Sequence, residues 1–495
     1  MRLVLAARRS ELARIQAFHI GHALERANPH VTIEYSFHES LGDRNQSEPL
    51  WQMPEKGVFT QDLREGLIAG RYDMAVHSWK DLAIEDDQTT EIAATLPRAD
   101  MRDLLLIPAK SWHEAARLGR LNILTSSPRR SFNLDSFLRR ALPGKISELV
   151  FEPVRGNVPT RVRKMWQPGA GGLIVAKAAI DRLLESEAEE FAGTRSGLRD
   201  ILSQCLLMVL PLRANPTAPA QGALAVEIRR DRTDLRDLLR SINSAETYKS
   251  VVREREILAG HGGGCHQKIG ASVLQRTYGE ITFVRGLTDD GTSLNERRLV
   301  PSQPRPEKIS RDQMWPLNTA GSDWFKREAI PATIPGAPLW ISKAEALPPT
   351  ASVKPDQLVW ASGLKTWERL TARGIWVNGC AEGLGEQELP GIETLVGGSV
   401  NWIKLTHDRA PAENGMTSVA TYRLVEKTGN PDLHGKRYFF WTSGSSFERA
   451  LELNPAIKPL THFCGPGNTH RTLLRNGVEP HVFLDHDEWL KEMTE

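Results

Sequence analysis

Four short turns hold most of the residues that could bind or transform a ligand: Arg8-Arg9-Ser10, His77-Ser78-Trp79-Lys80-Asp81, Thr125-Ser126-Ser127-Pro128-Arg129-Arg130 and Arg155-Gly156-Asn157-Val158-Pro159-Thr160-Arg161. A guanidinium fork can bind a carboxylate bidentately, so such turns facing one cleft would suit a ligand with several carboxylates. Each turn alone also has a plainer reading. Lys80 and Asp81 could form a surface salt bridge, and Ser127 could cap a helix beside solvated arginines. The pattern weighs against solvation alone, because the arginines recur directly after apolar runs instead of scattering along helices. Among these cations Asp81 would stay ionised and could steady positive charge developing on a substrate, or serve as a structural ion-pair partner.

Cys265 is a separate candidate. It follows Gly262-Gly263-Gly264, which leave the backbone free and the thiol accessible, so a nucleophilic or covalently modified cysteine and an inert loop thiol both fit. The other cysteines, at 205, 380 and 464, are too scattered for a disulfide framework or a CxxC-type zinc site. A reducing compartment and no metal are expected.

The turns need a scaffold, and the hydropathy pattern supplies one. Apolar runs at 3–7, 31–35 and 73–76 alternate with amphipathic segments at 11–27 and 59–69, which predicts an α/β fold with parallel strands and crossover helices. The pattern repeats with strands at 104–107, 121–124, 148–151 and 172–175. Each arginine turn then falls at a strand's carboxyl end, where open α/β sheets bind ligands. The proline-rich run 211–219 reads as a hinge, followed by a strand at 224–228. A helix at 244–260 and strands at 269–273, 281–287 and 297–300 form a smaller α+β unit around Cys265. The run PATIPGAP at 331–338 reads as a linker, and ASGLKTWERL and TSGSSFERAL beyond it look duplicated. The expected units are 1–98 with 214–232, 99–213, 233–330 and 339–495.

Bulk properties exclude some functions. Lys plus Arg number 63 against 61 Asp plus Glu, so a net charge of +2 gives no long-range field for nucleic acid or anionic membrane. The apolar run at 3–7 is too short for a signal-peptide core, and no stretch approaches a membrane span, so a cytoplasmic location is expected. A non-catalytic polyanion receptor could use the same two-domain cleft; the missing signal peptide and the glycine-flanked Cys265 count against it.

In order, AARRSELA, EKGVF, HSWKDLA, TSSPRR, VRGNVPTR, PAQGALAVEIR and GGGCHQKIGA resemble the hydroxymethylbilane synthase (porphobilinogen deaminase) family over residues 1 to about 330. The resemblance implies two periplasmic-binding-protein-like domains around a cleft and a small third domain holding a dipyrromethane cofactor on Cys265. It implies stepwise condensation of four porphobilinogen molecules with loss of ammonia, then hydrolytic release of hydroxymethylbilane for porphyrin and heme biosynthesis. Asp81 matches the catalytic aspartate, with Lys80 beside it. Cofactor binding is implied for Ser78, Lys80, Asp81, Ser127, Arg129, Arg130, Arg155 and Gly156, and substrate binding for Arg8, Ser10, Gln16, Lys56, Arg155 and Arg161. Leu82-Ala83, Pro159, Gln61 and His266-Gln267-Lys268 depart from the family pattern without removing any of these groups.

The last 155 or so residues resemble uroporphyrinogen-III synthase through Ser362-Gly363, GIWVNGCAEGLGE, Tyr422 in VATYRLVEK, Thr442-Ser443-Gly444 and Gly465-Pro466-Gly467-Asn468-Thr469. That likeness implies a second, lyase activity closing the bilane, with Tyr422 assisting loss of the terminal hydroxyl, and transfer of bilane between the chain's own domains. A degenerate, non-catalytic C-terminal domain is the alternative, because little chain follows the strand at 339–342 to build a first lobe.

Overall fold

The apolar runs fold into two sheets of one design. A computed structural model describes residues 1–39, 60–84, 87–262, 268–319, 323–410, 415–429 and 431–494. In the first sheet the strand Arg2–Arg8 lies between Thr32–His38 and Met74–Ser78, parallel to both. The returning strand Leu224–Arg229 then pairs antiparallel with Met74–Ser78 on one side and Thr90–Ala94 on the other. Leu3, Leu5 and Ala7 meet Ala17, Ile20 and Leu24 of the helix Glu11–Ala27, the face that helical periodicity selects.

The second sheet repeats this arrangement. Arg120–Leu124 lies parallel between Glu148–Glu152 and Gly172–Ala176, and Asp103–Pro108 follows antiparallel, paired with Cys205–Leu210. The chain crosses between the sheets twice, through 95–102 and back through 211–223, so the proline-rich run does lie on a crossing. A third unit packs the helix Ala245–Gly260 on an antiparallel sheet of Gly270–Arg276, Gly279–Leu287 and Ser293–Pro301.

The C-terminal residues form two further sheets, and here the expected boundaries shift. Phe325–Ala329 pairs with Thr417–Glu426 at the edge of a six-stranded sheet, and Met314–Trp315 pairs with Tyr438–Trp441 in a four-stranded one. The third unit therefore ends before residue 314, and 331–338 joins two strands of a single sheet instead of linking domains. Its prolines mark backbone that cannot join a ladder, which is all such composition dictates. The edge strand escaped notice because Phe325 alone is buried in a run of exposed Lys326, Arg327, Glu328 and Ala329. It also supplies chain that the first C-terminal lobe had seemed to lack. The two similar turns each follow a parallel strand and open a helix, Leu364–Thr371 in one sheet and Gly444–Leu453 in the other. No helix among the described residues is long and apolar enough to cross a membrane.

The C-terminal sheets are packed against the second α/β sheet through shared apolar cores. Trp367 is fully buried, edge-on to Phe137 at 5.4 Å between centroids, and its Nε1 donates to the Ala141 carbonyl at 3.0 Å. Trp367→Ala is expected to cost roughly 3–5 kcal/mol in urea unfolding, through the cavity and the orphaned carbonyl. An unchanged midpoint would show that the two halves fold without each other.

Candidate functional site

Asp103 opens the apolar strand Asp103–Pro108 and is fully buried. Its carboxylate accepts from Arg129 Nη2 at 2.8 Å, Arg130 Nε at 3.0 Å and Nη2 at 2.6 Å, Asn215 Nδ2 at 2.8 Å and Gln221 Nε2 at 2.8 Å. Burial alone would raise this carboxyl; the charges of Arg130 and Arg129 more than reverse that and hold it well below the usual range. The network reaches across the hinge. Gln221 lies on the returning crossing, and its Oε1 is 3.5 Å from Lys80 Nζ in the first domain.

The arginine doublet is thus committed inward to a degree the sequence did not announce. Arg129 also donates to Asn215 Oδ1 at 2.8 Å and the Pro216 carbonyl at 2.5 Å, and Arg130 to the Ile174 carbonyl at 3.3 Å. Among the described residues, two of Arg130's five guanidinium hydrogens have no partner. Ser127 is the N-cap of the helix Pro128–Ala141, its Oγ 3.5 Å from Arg130 N, so the plainer reading of that serine holds.

Arg161 differs from the doublet. Its Nε donates to the Gly156 carbonyl at 2.7 Å, while its terminal nitrogens have no hydrogen bond to a described residue. Burial, then the like charges of Arg130 and Arg155, bring it down to about 10, with Asp81 opposing. Lys80 is likewise pulled down, by burial first, against the opposing charge of Asp81 and with Arg130 adding to the fall. Asp81 and Arg130 thus act on both Lys80 of the first domain and Arg161 of the second. Gly156 allows the turn that aims Arg161, having φ +113, and a Cβ there would fall 2.8 Å from Thr160 Cγ2. Arg155 is half-buried in this turn.

The remaining expected residues lie around this cluster or apart from it. Asp81 ends the short turn Trp79–Asp81, partly exposed. Ser78 Oγ lies 3.0 and 3.1 Å from the amide atoms of buried Gln16. Arg8 ends the first strand and Ser10 precedes the helix Glu11–Ala27 without capping it. Tyr422 lies in the C-terminal half, buried beside His407 at 5.8 Å, where burial pushes its phenol up. Lys56 and Cys265 fall outside the described residues. The helix leading to 263–267 is tied to the hinge by Glu254, which accepts from Arg98 at 2.7 and 2.8 Å and from Ala220 N at 2.8 Å. On the other side, a Cβ on Gly270 would fall 2.1 Å from the Pro216 carbonyl oxygen and 3.0 Å from Arg129 Cδ. Gly270, in the strand Gly270–Arg276, is thus packed against the arginine doublet, whereas Glu254 is tied to the crossings. A cavity of about 1600 Å³ lies elsewhere, against Trp112, Leu207 and Trp376.

Sequence reasoning missed Asp103, Asn215, Gln221 and a buried cluster in which Glu227 accepts from Arg64 at 2.7 Å and Thr90 at 2.6 Å and faces His77 at 2.9 Å. A lone acid at the head of an apolar strand was the available signal for Asp103. Among the described residues, Arg130 and Arg161 are members of the cluster with guanidinium hydrogens left over for an anion.

Asp103→Asn should destabilise the chain by roughly 3–5 kcal/mol in denaturant, because it leaves two buried guanidiniums short of a counter-charge. The pH response has a definite sign. Asp103 is held below its unfolded value, and Glu227 falls to about 2 as its hydrogen bonds and His77 outweigh burial. Their stabilisation is complete above the unfolded carboxylate range and is lost progressively as pH falls from that range through the lower folded values. Unfolding midpoints should stay level down to about pH 5 and then drop, with a shallower drop in Glu227→Gln. Midpoints that hold to pH 3 would contradict the assignment.

The sequence model of the family described as porphobilinogen deaminase, dipyromethane cofactor binding domain, matches residues 3–237. A porphobilinogen deaminase of Clostridium novyi is 32% identical over 311 residues, 62% of this chain and 96% of that protein. One from Acidothermus cellulolyticus is 36% identical over 316 residues, 60% of this chain and 86% of that protein, and one from Sorangium cellulosum is 32% identical over 320 residues, 64% and 93%. With nearly the whole length of such relatives covered, and a dipyrromethane cofactor binding domain matched across both α/β sheets, the chain belongs to the porphobilinogen deaminase family.

Proposed function

We propose that the N-terminal three units are a hydroxymethylbilane synthase. Four porphobilinogen molecules are condensed in turn, each forming one carbon–carbon bond and releasing one ammonia, and one water then frees hydroxymethylbilane. The dipyrromethane, held through the Cys265 sulfur, would supply the pyrrole end on which the first unit is added. Arg155, Gly156, Arg161 and the outward donors of Arg130 would take carboxylates of cofactor and substrate, with Arg129 and Ser127 framing them. Arg8, Ser10, Gln16, Lys56 and Ser78 would line the substrate side of this binding-protein-like cleft. The observation that carries the reading is that Asp81 and Arg130 act on both Lys80 of the first domain and Arg161 of the second, where Arg161 keeps terminal nitrogens without a hydrogen bond to a described residue. Inside that cleft the Asp81 carboxylate would stabilise the cation left when ammonia departs, with Lys80 beside it as a cationic neighbour.

For the C-terminal half we propose cyclisation of the bilane to uroporphyrinogen III. Tyr422, kept protonated by burial, would donate to the departing hydroxyl. Lys343 and Arg327 lie near enough to influence the same tyrosine–histidine group, supplying positive charge for a polycarboxylate.

Intact-mass measurement of the purified chain should show added mass equal to two pyrrole units on Cys265, absent in Cys265→Ser; a bare chain that still turns over porphobilinogen would refute the attachment. Asp81→Asn should lower kcat about 10²- to 10³-fold with the fold intact. Supplied with porphobilinogen, the full chain should yield mainly the type III ring, falling to the type I ring in Tyr422→Phe. Type I alone from the unaltered chain would mean a degenerate C-terminal domain.

A further inference from the structure

The C-terminal half touches the synthase at an unusual place, the roots of its hinge. Glu382 follows the short parallel strand Gly379–Cys380 and stands at a left-handed φ of +54. Its two carboxylate oxygens accept from Leu212 N and Arg213 N, each at 2.7 Å, the residues at which the chain leaves the second α/β sheet for the returning crossing. A non-glycine residue in that conformation is held there by its surroundings. Here the flanking backbone is pinned, Ala381 N to the Ala361 carbonyl at 2.9 Å and Gly383 N to the Ser362 carbonyl at 2.8 Å.

The strand before the crossing is held as well. Val209 N donates to the Asn378 carbonyl at 2.7 Å, and Leu207's carbonyl accepts from Asn378 Nδ2 at 2.9 Å and Trp376 Nε1 at 3.0 Å. The outward crossing is fixed at the same end, where Arg102, paired with Asp100, donates to the Pro390 carbonyl at 2.8 Å. Domain closure is absorbed by a few residues of the connecting segments. With 212–213 and 102 pinned, the parts of the two crossings that the C-terminal half leaves unclamped are 95–99 and 214–223, the second of which contains Ala220 at φ +68 and Gly222 at φ +88. That stretch also supplies Asn215 and Gln221 to the Asp103 network.

We infer that Glu382 is a positioning residue for the synthase reaction: by clamping the start of the hinge it makes the C-terminal half and the second α/β domain one body and sets where the first domain rotates. The inference rests on the N-terminal units having the proposed deaminase activity. Three variants of the full chain separate the possibilities: Glu382→Ala, Glu382→Gln, which keeps one acceptor oxygen, and Glu388→Ala. The last removes the bidentate pair with Arg276, at 2.7 Å for both contacts, which lies off the hinge.

Porphobilinogen consumption is measured beside intact mass, which counts the pyrroles stalled on each enzyme. Glu382→Ala should lower kcat about tenfold with KM within about twofold, and shift the stalled population toward shorter chains. Glu382→Gln should fall between it and the unaltered chain, and Glu388→Ala should match the unaltered chain. Unaltered kcat and stalling in both Glu382 variants would overturn the inference. So would an equal loss in Glu388→Ala, since any weakened interface would then suffice. An unaltered chain that consumes no porphobilinogen would instead overturn the functional reading beneath it.

Discussion

One buried carboxylate organises this molecule. Asp103 gathers Arg129, Arg130, Asn215 and Gln221 around itself from two segments, the helix of the second domain for the arginines and the returning hinge for the amides. Burying an ion is costly, and the cost is offset only when every lone pair is met by a well-aligned donor. Five contacts between 2.6 and 3.0 Å meet that demand. Once formed, the knot fixes the arginine doublet on one side of the cleft and, through Gln221, the position of Lys80 on the other. Arg161, on the doublet's side, keeps terminal nitrogens with no hydrogen bond to a described residue.

Much of the scaffold could be read from the sequence because its strands are apolar and its helices periodic. The helix Glu11–Ala27 begins and ends where the pattern places it. The edge strand Phe325–Ala329 could not be read this way, since a single buried side chain leaves no alternation to detect. The cluster of arginine turns was legible as a cluster, because chain order alone set them after strands. Their division of labour was not. Whether a guanidinium faces a ligand or an internal acid depends on a partner far away in sequence, and Asp103 lies 26 and 27 residues from its arginines and 112 and 118 from its amides.

The fused C-terminal half changes how the synthase must move. In a free-standing two-domain protein the edge strand Cys205–Leu210 would need some other cover for its unpaired groups. Here Trp376 and Asn378 supply that cover, and Glu382 extends the contact onto the hinge itself. The union is part of the architecture of the catalytic half, so the hinge belongs jointly to both halves of the chain.

The most direct test of this account is an experimental structure of the full chain with its dipyrromethane attached. The account predicts that the cofactor carboxylates lie on Arg155, Arg161 and the outward donors of Arg130, while Asp103 keeps its bonds to Arg129, Arg130, Asn215 and Gln221. A cofactor anchored away from these arginines, or one whose carboxylates replace Asp103 on the doublet, would contradict it.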